Sequence, residues 1–282
     1  DLPPAPMGAL VMCCIGAAVV FLRGFILNPP NRGQMREFLC SRPWSPAHAG
    51  LLAAAYFCGI LLLSRFIETP GIRAVLSGSV LSGSETSYIW LVLTAVFIHL
   101  PWILAVGIMM LVERASPRSG FGIARSKATR EIAIGMLAAL GSLPVLVLIT
   151  IPYVLILEKA GVNCENQAVA LMIADAASAP WPVHVLILST AIIVAPLAEE
   201  LVFRGVFLPA LARRMGAIPA AVAVSSLFAL LHMDIPTFVP LFALSLILCF
   251  AYARSGSLIV PVVLHATHNF IQIAVIPRAG IE

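Results

Sequence analysis

The chain is dominated by uninterrupted apolar stretches of about 20 residues, the length a helix needs to cross the hydrocarbon core of a bilayer. In hydrocarbon every backbone N–H and C=O has to be paired within the chain, so such stretches fold as helices. The alternation of a membrane barrel strand is absent. Composition agrees: 61% of the 282 residues are hydrophobic and 11% are charged. With a mean hydropathy of +1.02, there is too little charge to cover a soluble domain. The sequence reads as an all-α polytopic membrane helix bundle.

About eight transmembrane helices are expected, over residues 7–27, 47–67, 89–112, 132–157, 183–208, 218–232, 236–253 and 258–276. Pro144 and Pro152 are expected to kink or shorten the fourth. The sixth and seventh are joined through Met233–Ile235, which requires a tight turn, and the semi-polar connection 158–182 has room for a helix lying at the interface. Basic residues follow the spans. The connections after the first, third, fifth and seventh carry 11 of the 17 Lys and Arg, and the opposite side carries four. The positive-inside rule places the first set in the cytoplasm and both termini outside. The net charge of +4 therefore records topology, and no nucleic-acid partner is expected. The expected location is the cell membrane, multi-pass, of a prokaryotic inner-membrane kind. The six cysteines form no CxxC pair and no metal-ligand spacing. The chain begins at Asp1 without a methionine, as a piece of a longer chain would.

Ionisable groups inside spans are costly and point to function. The first four spans hold few of them. His99, beside Pro101, reads as a hydrogen-bonded packing residue. Residues 1–160 thus form an N-terminal membrane region of four helices, and the chemistry is expected in 183–276. The fifth span carries Glu199 and Glu200, which point about 100° apart on a helix and cannot share one role. Glu200 and Arg204 are spaced i, i+4 and can pair, leaving Glu199 aimed elsewhere. The sixth span ends with Phe228 and His232 on one face, and the eighth carries His265 and Asn269 one turn apart. Glu199 and His232 lie roughly 21 Å from the connection between their spans, at 1.5 Å per residue. His265 and Asn269 lie roughly 16 and 22 Å from the same side, so four polar groups from three spans can meet at one level.

Glu-Glu-x-x-x-Arg at 199–204, Phe-x-x-x-His at 228–232 and His-x-x-x-Asn at 265–269 resemble the three motifs of the CPBP family, the CAAX-protease and bacteriocin-processing (Abi) group that includes the type II CAAX prenyl endopeptidases. The resemblance covers about residues 183–276. It implies a glutamate-dependent intramembrane endopeptidase that needs no cofactor and no metal. Glu199 would activate water with help from His232, and His265 and Asn269 would polarise the scissile carbonyl. Glu200 and Arg204 would brace the helix, with Phe228 in support. Its partners would be the bilayer and a membrane-associated or lipidated protein or peptide substrate. Two other readings use the same residues: a zinc protease built on His232, His265 and a glutamate, although no H-E-x-x-H is present, and a non-proteolytic transporter, immunity or scaffold protein. The charge count sets the constellation nearer the outer face, away from a cytosolic CAAX tail: either the substrate is exported or membrane-anchored, the reading favoured here, or the topology is inverted despite the 11-to-4 bias.

Overall fold

The computed structural model describes residues 31–76, 93, 95–164 and 181–275, together with 16, 19, 23 and 24. Among these residues there is helix and no strand. Five helices are long and apolar enough to cross a membrane: α2 (Pro46–Ile67), α3 (Ala95–Val112), the Arg125–Lys159 segment that contains α4 (Ala128–Lys159), α5 (Val185–Met215) and α7 (Ile235–Ser255). The protein is a multi-pass membrane protein. Two shorter apolar helices are α6 (Ala217–Leu230) and α8 (Ile259–Val275), and a polar helix α1 (Arg32–Cys40) precedes α2. The expected count of eight is therefore represented by five helices of spanning length and two shorter ones. The expected first span, 7–27, falls almost wholly outside the described residues, as do positions 165–180 of the expected interfacial helix.

Lipid-facing and protein-facing surfaces separate cleanly. Phe57, Leu61, Leu111 and Leu148 stand outward on α2, α3 and α4. In α5 every residue from Val202 to Ala210 is buried, so α5 is the helix around which the others assemble. One apolar core joins α1, α2 and α3 to α5, α6 and α7, and a second packs α4 against α7 and α8. Small residues set the closest approaches, as is usual between membrane helices. A Cβ on Gly59 of α2 would lie 2.2 Å from the Phe97 carbonyl oxygen of α3. One on Gly135 of α4 would lie 2.7 Å from Val263 Cβ and 2.8 Å from the Val260 oxygen of α8.

Three stretches depart from α-helical winding into wider π turns: Ala95–His99, Thr190–Val194 and Leu201–Phe207. Each ends two residues before a proline, Pro101, Pro196 and Pro209 respectively. A proline has no N–H to donate and its ring crowds the carbonyl four residues back, so a loosened preceding turn relieves the clash. Proline alone does not dictate this. Pro144 and Pro152 lie inside α4, which runs uninterrupted for 32 residues and is not shortened as expected. In hydrocarbon, ending the helix would orphan several backbone groups where keeping it forfeits one bond per proline.

The turn after α6 is tight, as expected. Met233 has a positive φ of 52°, and Asp234 caps α7 by accepting from the Thr237 N–H at 3.1 Å and its hydroxyl at 2.7 Å. With 14 residues, α6 is only about 21 Å long, short of a 30 Å hydrocarbon layer.

Candidate active site

Glu199 and Glu200 lie on the α-helical stretch Ala195–Glu200, between the two π segments of α5. Neighbours in sequence, they diverge in space as the helical angle requires. Glu200 is fully buried, and its Oε1 accepts from Arg204 Nη1 at 2.8 Å, the expected i, i+4 pair. The same oxygen accepts from His265 Nδ1 on α8 at 2.8 Å. Arg204, also fully buried, turns its other arm to Ser245 of α7, with Nη2 2.7 Å from Oγ and 3.2 Å from the carbonyl oxygen. One guanidinium and one carboxylate thereby tie α5, α7 and α8 together. Arg204 cannot be deprotonated in a protein, so Glu200 has a permanent counter-charge. Phe228 lines this knot: its ring centroid is 4.8 Å from the Arg204 guanidinium carbon, 4.9 Å from the His232 ring and 5.9 Å from the His265 ring.

Glu199 points the other way, into a cavity of about 140 Å³ shared with His99 and His232 and walled by Tyr56, Trp102 and Phe203. Its two oxygens face two imidazoles from opposite sides. His265 Nε2 is 3.8 Å from Oε2, and His99 Nε2 is 3.7 Å from Oε1. Both gaps exceed hydrogen-bond length by roughly 0.5 Å. His232 sits two residues beyond the end of α6 and donates Nδ1–H to the Phe228 carbonyl at 2.8 Å, satisfying one of the orphan carbonyls at that helix end. This contact fixes its tautomer, and Nε2 is left as the acceptor. Asn269 donates its amide to the Ala191 carbonyl at 2.9 Å, inside the first π segment of α5. There the widened turn frees carbonyl groups to accept from another helix. His268, given no role from the sequence, is buried beside it on α8.

Glu199, His232 and His265 thus come together, with Asn269 one turn along α8 from His265 and braced against α5. The residue that sequence reasoning set aside is His99. It does not serve as a hydrogen-bonded packing residue: its Nδ1 is buried without a partner, and its Nε2 is turned to Glu199. His99 ends the π segment of α3 before Pro101, as Glu199 stands between two such segments. A proline inside the span next to a polar residue was the available signal. Tyr56 and Trp102 also come from α2 and α3, so the cavity draws on 1–160 as well as 183–276. Among the described residues no group of three or more His, Cys, Asp or Glu side chains is arranged to hold a metal ion. A carboxylate flanked by imidazoles in a cavity that water can enter is equipped to take a proton and pass it on.

No curated protein and no solved structure matches the chain. A family model described as Type II CAAX prenyl endopeptidase Rce1-like matches residues 180–271. That segment carries all three motifs, with Glu199, Glu200, Arg204, Phe228, His232, His265 and Asn269 inside it, and over it the chain is similar to the CPBP and CAAX-protease group.

Proposed function

We propose that the protein is an intramembrane endopeptidase that cleaves a peptide bond of a membrane-associated or lipidated protein or peptide with water activated by Glu199. The observation that carries this reading is the placement of Glu199 at a cavity, each oxygen facing an imidazole, while its neighbour Glu200 is consumed by Arg204 and His265. Only Glu199 remains free to act as a base.

In this mechanism a water in the cavity gives its proton to Glu199 as its oxygen attacks the scissile carbonyl carbon. His232, with Nε2 free to accept, steadies that water. His265 gives its Nδ1–H to Glu200, so its Nε2 is the atom that meets the substrate. The step requires a proton on His265 Nε2 as well as on Nδ1, and that Nε2–H donates to the oxyanion as the carbonyl opens. Asn269, whose amide has a second N–H beyond the one given to Ala191, is the companion donor. Collapse of the tetrahedral intermediate breaks the C–N bond, and Glu199 returns its proton to the leaving amine. His99 holds Oε1 of Glu199 from the far side, which leaves Oε2 to take the proton.

The aromatic and apolar wall of the cavity suits a substrate that arrives from within the bilayer. The site lies nearer the face opposite the basic connections, which favours an exported or membrane-anchored polypeptide, in a multi-pass protein of a prokaryotic cell membrane. The test is comparative proteomics of membrane and secreted fractions from cells carrying wild type or Glu199→Gln. Glu199→Gln is expected to insert and fold, with loss of wild-type-dependent cleavage products and accumulation of their precursors. Identical cleavage products in the two strains, with both proteins present in the membrane, would overturn the proposal.

A further inference from the structure

At the opposite end of the bundle from the Glu199 cavity, two adjoining cavities of about 340 and 460 Å³ share Lys127, Glu131 and Ser255 in their walls. Five cations surround them: Arg42, Arg118, Lys127, Arg130 and Arg254. The one carboxylate present, Glu131, is buried, and its Oε2 accepts from the Ser257 hydroxyl at 2.7 Å. None of the five cations forms an ion pair with an acidic side chain among the described residues. Such clusters repel themselves unless an anion enters.

Arg42 makes the case more than a matter of surface charge. It is only 8% exposed, and its guanidinium is held by the carbonyls of Arg118 (3.0 Å), Ser119 (3.0 Å) and Gly256 (3.3 Å), with Nε left unpartnered. A buried cation held by neutral carbonyls and the face of the Phe38 ring, 4.3 Å away, still lacks a counter-charge. The walls are fixed as well. Gly122 and Gly256 both turn in the left-handed region, at φ of 75° and 72°, and a Cβ on Gly122 would lie 1.8 Å from the Gly256 oxygen. The Leu258 N–H bonds the Phe121 carbonyl at 3.0 Å, locking the loop before α4 to the turn between α7 and α8.

Depth and polarity indicate the occupant. Lys127 immediately precedes the apolar helix α4, and Arg254 is the penultimate residue of α7, so the cations lie at the level of lipid headgroups. Ile134 and Val260 line the larger cavity below them. A basic mouth above an apolar wall fits an amphiphile. We infer that these cavities bind the phosphate group of an anionic phospholipid, with the acyl part running along Ile134 and Val260.

The test is a thermal-shift titration of the full chain in detergent with phosphatidylglycerol, phosphatidylcholine and inorganic phosphate. Phosphatidylglycerol is expected to stabilise the wild type saturably, and the other two to have little effect at the same concentrations. Arg118, Lys127 and Arg130 are exposed, and the triple variant R118Q/K127Q/R130Q is expected to fold and to bind phosphatidylglycerol on the order of 100-fold more weakly. Lys127→Gln alone is expected to cost about fivefold. A control with the same charge loss away from the cavities, R32Q/R36Q/R214Q, is expected to stay within about threefold of wild type, since those cations lie outside the pocket. Equal weakening by the control triple, or equal stabilisation by phosphatidylcholine, would refute a built anion site. Full stabilisation by inorganic phosphate alone would refute the lipid as its occupant.

Discussion

Replacing His99 tests whether the N-terminal half of the chain takes part in the chemistry. His99→Leu keeps the size of the side chain but removes the group facing Glu199 Oε1 at 3.7 Å. That distance is too long for a hydrogen bond in the resting protein, and closing by roughly 0.7 Å would bring it to normal length. On the proposed mechanism the bond is made in the working complex, and an interaction realised late lowers kcat more than it raises KM. A hydrogen bond to a charged group contributes about 1.5–3 kcal/mol, so the expected loss is roughly 10- to 150-fold in kcat. His99→Gln can place an amide N–H near the position of Nε2 and is expected to recover most of that loss. The assay is cleavage of a substrate peptide, taken from the proteomic comparison, by detergent-solubilised protein across a pH series. A His99→Leu enzyme with wild-type kcat and pH profile, alongside an inactive Glu199→Gln, would refute the role of His99 and leave that of Glu199 standing. An active Glu199→Gln would remove the basis of both.

Two further perturbations test the framework. Arg204→Met leaves Glu200 as a fully buried carboxylate without its counter-ion, and a loss of about 3–5 kcal/mol is expected in thermal or denaturant unfolding in detergent. Adding Glu200→Gln to that variant is expected to recover part of the loss, and no recovery would mean that the charge pair is not what Arg204 supplies. Gly135→Ala pushes a Cβ against Val263 and the Val260 carbonyl. A destabilisation of about 1–3 kcal/mol is expected. Gly50→Ala, where nothing lies within 4 Å of the added Cβ, provides the neutral comparison.

The architecture was legible in the sequence wherever it depends on local pattern. Apolar runs mark α2 to α8 to within a few residues, and the i, i+4 spacing of Glu200 and Arg204 is realised as a 2.8 Å ion pair. The common level of Glu199, His232 and His265 follows from counting residues along rigid helices: Glu199 and His232 share the cavity, and His265 Nε2 approaches Glu199 to 3.8 Å. Contacts set by tertiary packing could not be read. His99 reaches Glu199 across a hundred residues of chain because Gly59 lets α3 pack close on α2 and a π segment widens the first turn of α3, which His99 closes. Asn269 was readable as a polar residue at the right depth, yet its partner is a backbone carbonyl exposed by the π segment before Pro196. Pro101, Pro196 and Pro209 have this effect on their helices while Pro144 and Pro152 do not, and the sequence around them does not separate the two groups.

The shortness of α6 bears on where the reaction obtains its water. A helix of about 21 Å falls short of the hydrocarbon thickness by close to a third, and irregular backbone in the remainder is stable only against protein or a hydrated space. His232 stands in that turn, and Met233 beside it is 93% exposed. On the proposed mechanism, a short helix ending beside His232 lets water reach the Glu199 cavity without a channel crossing the whole membrane.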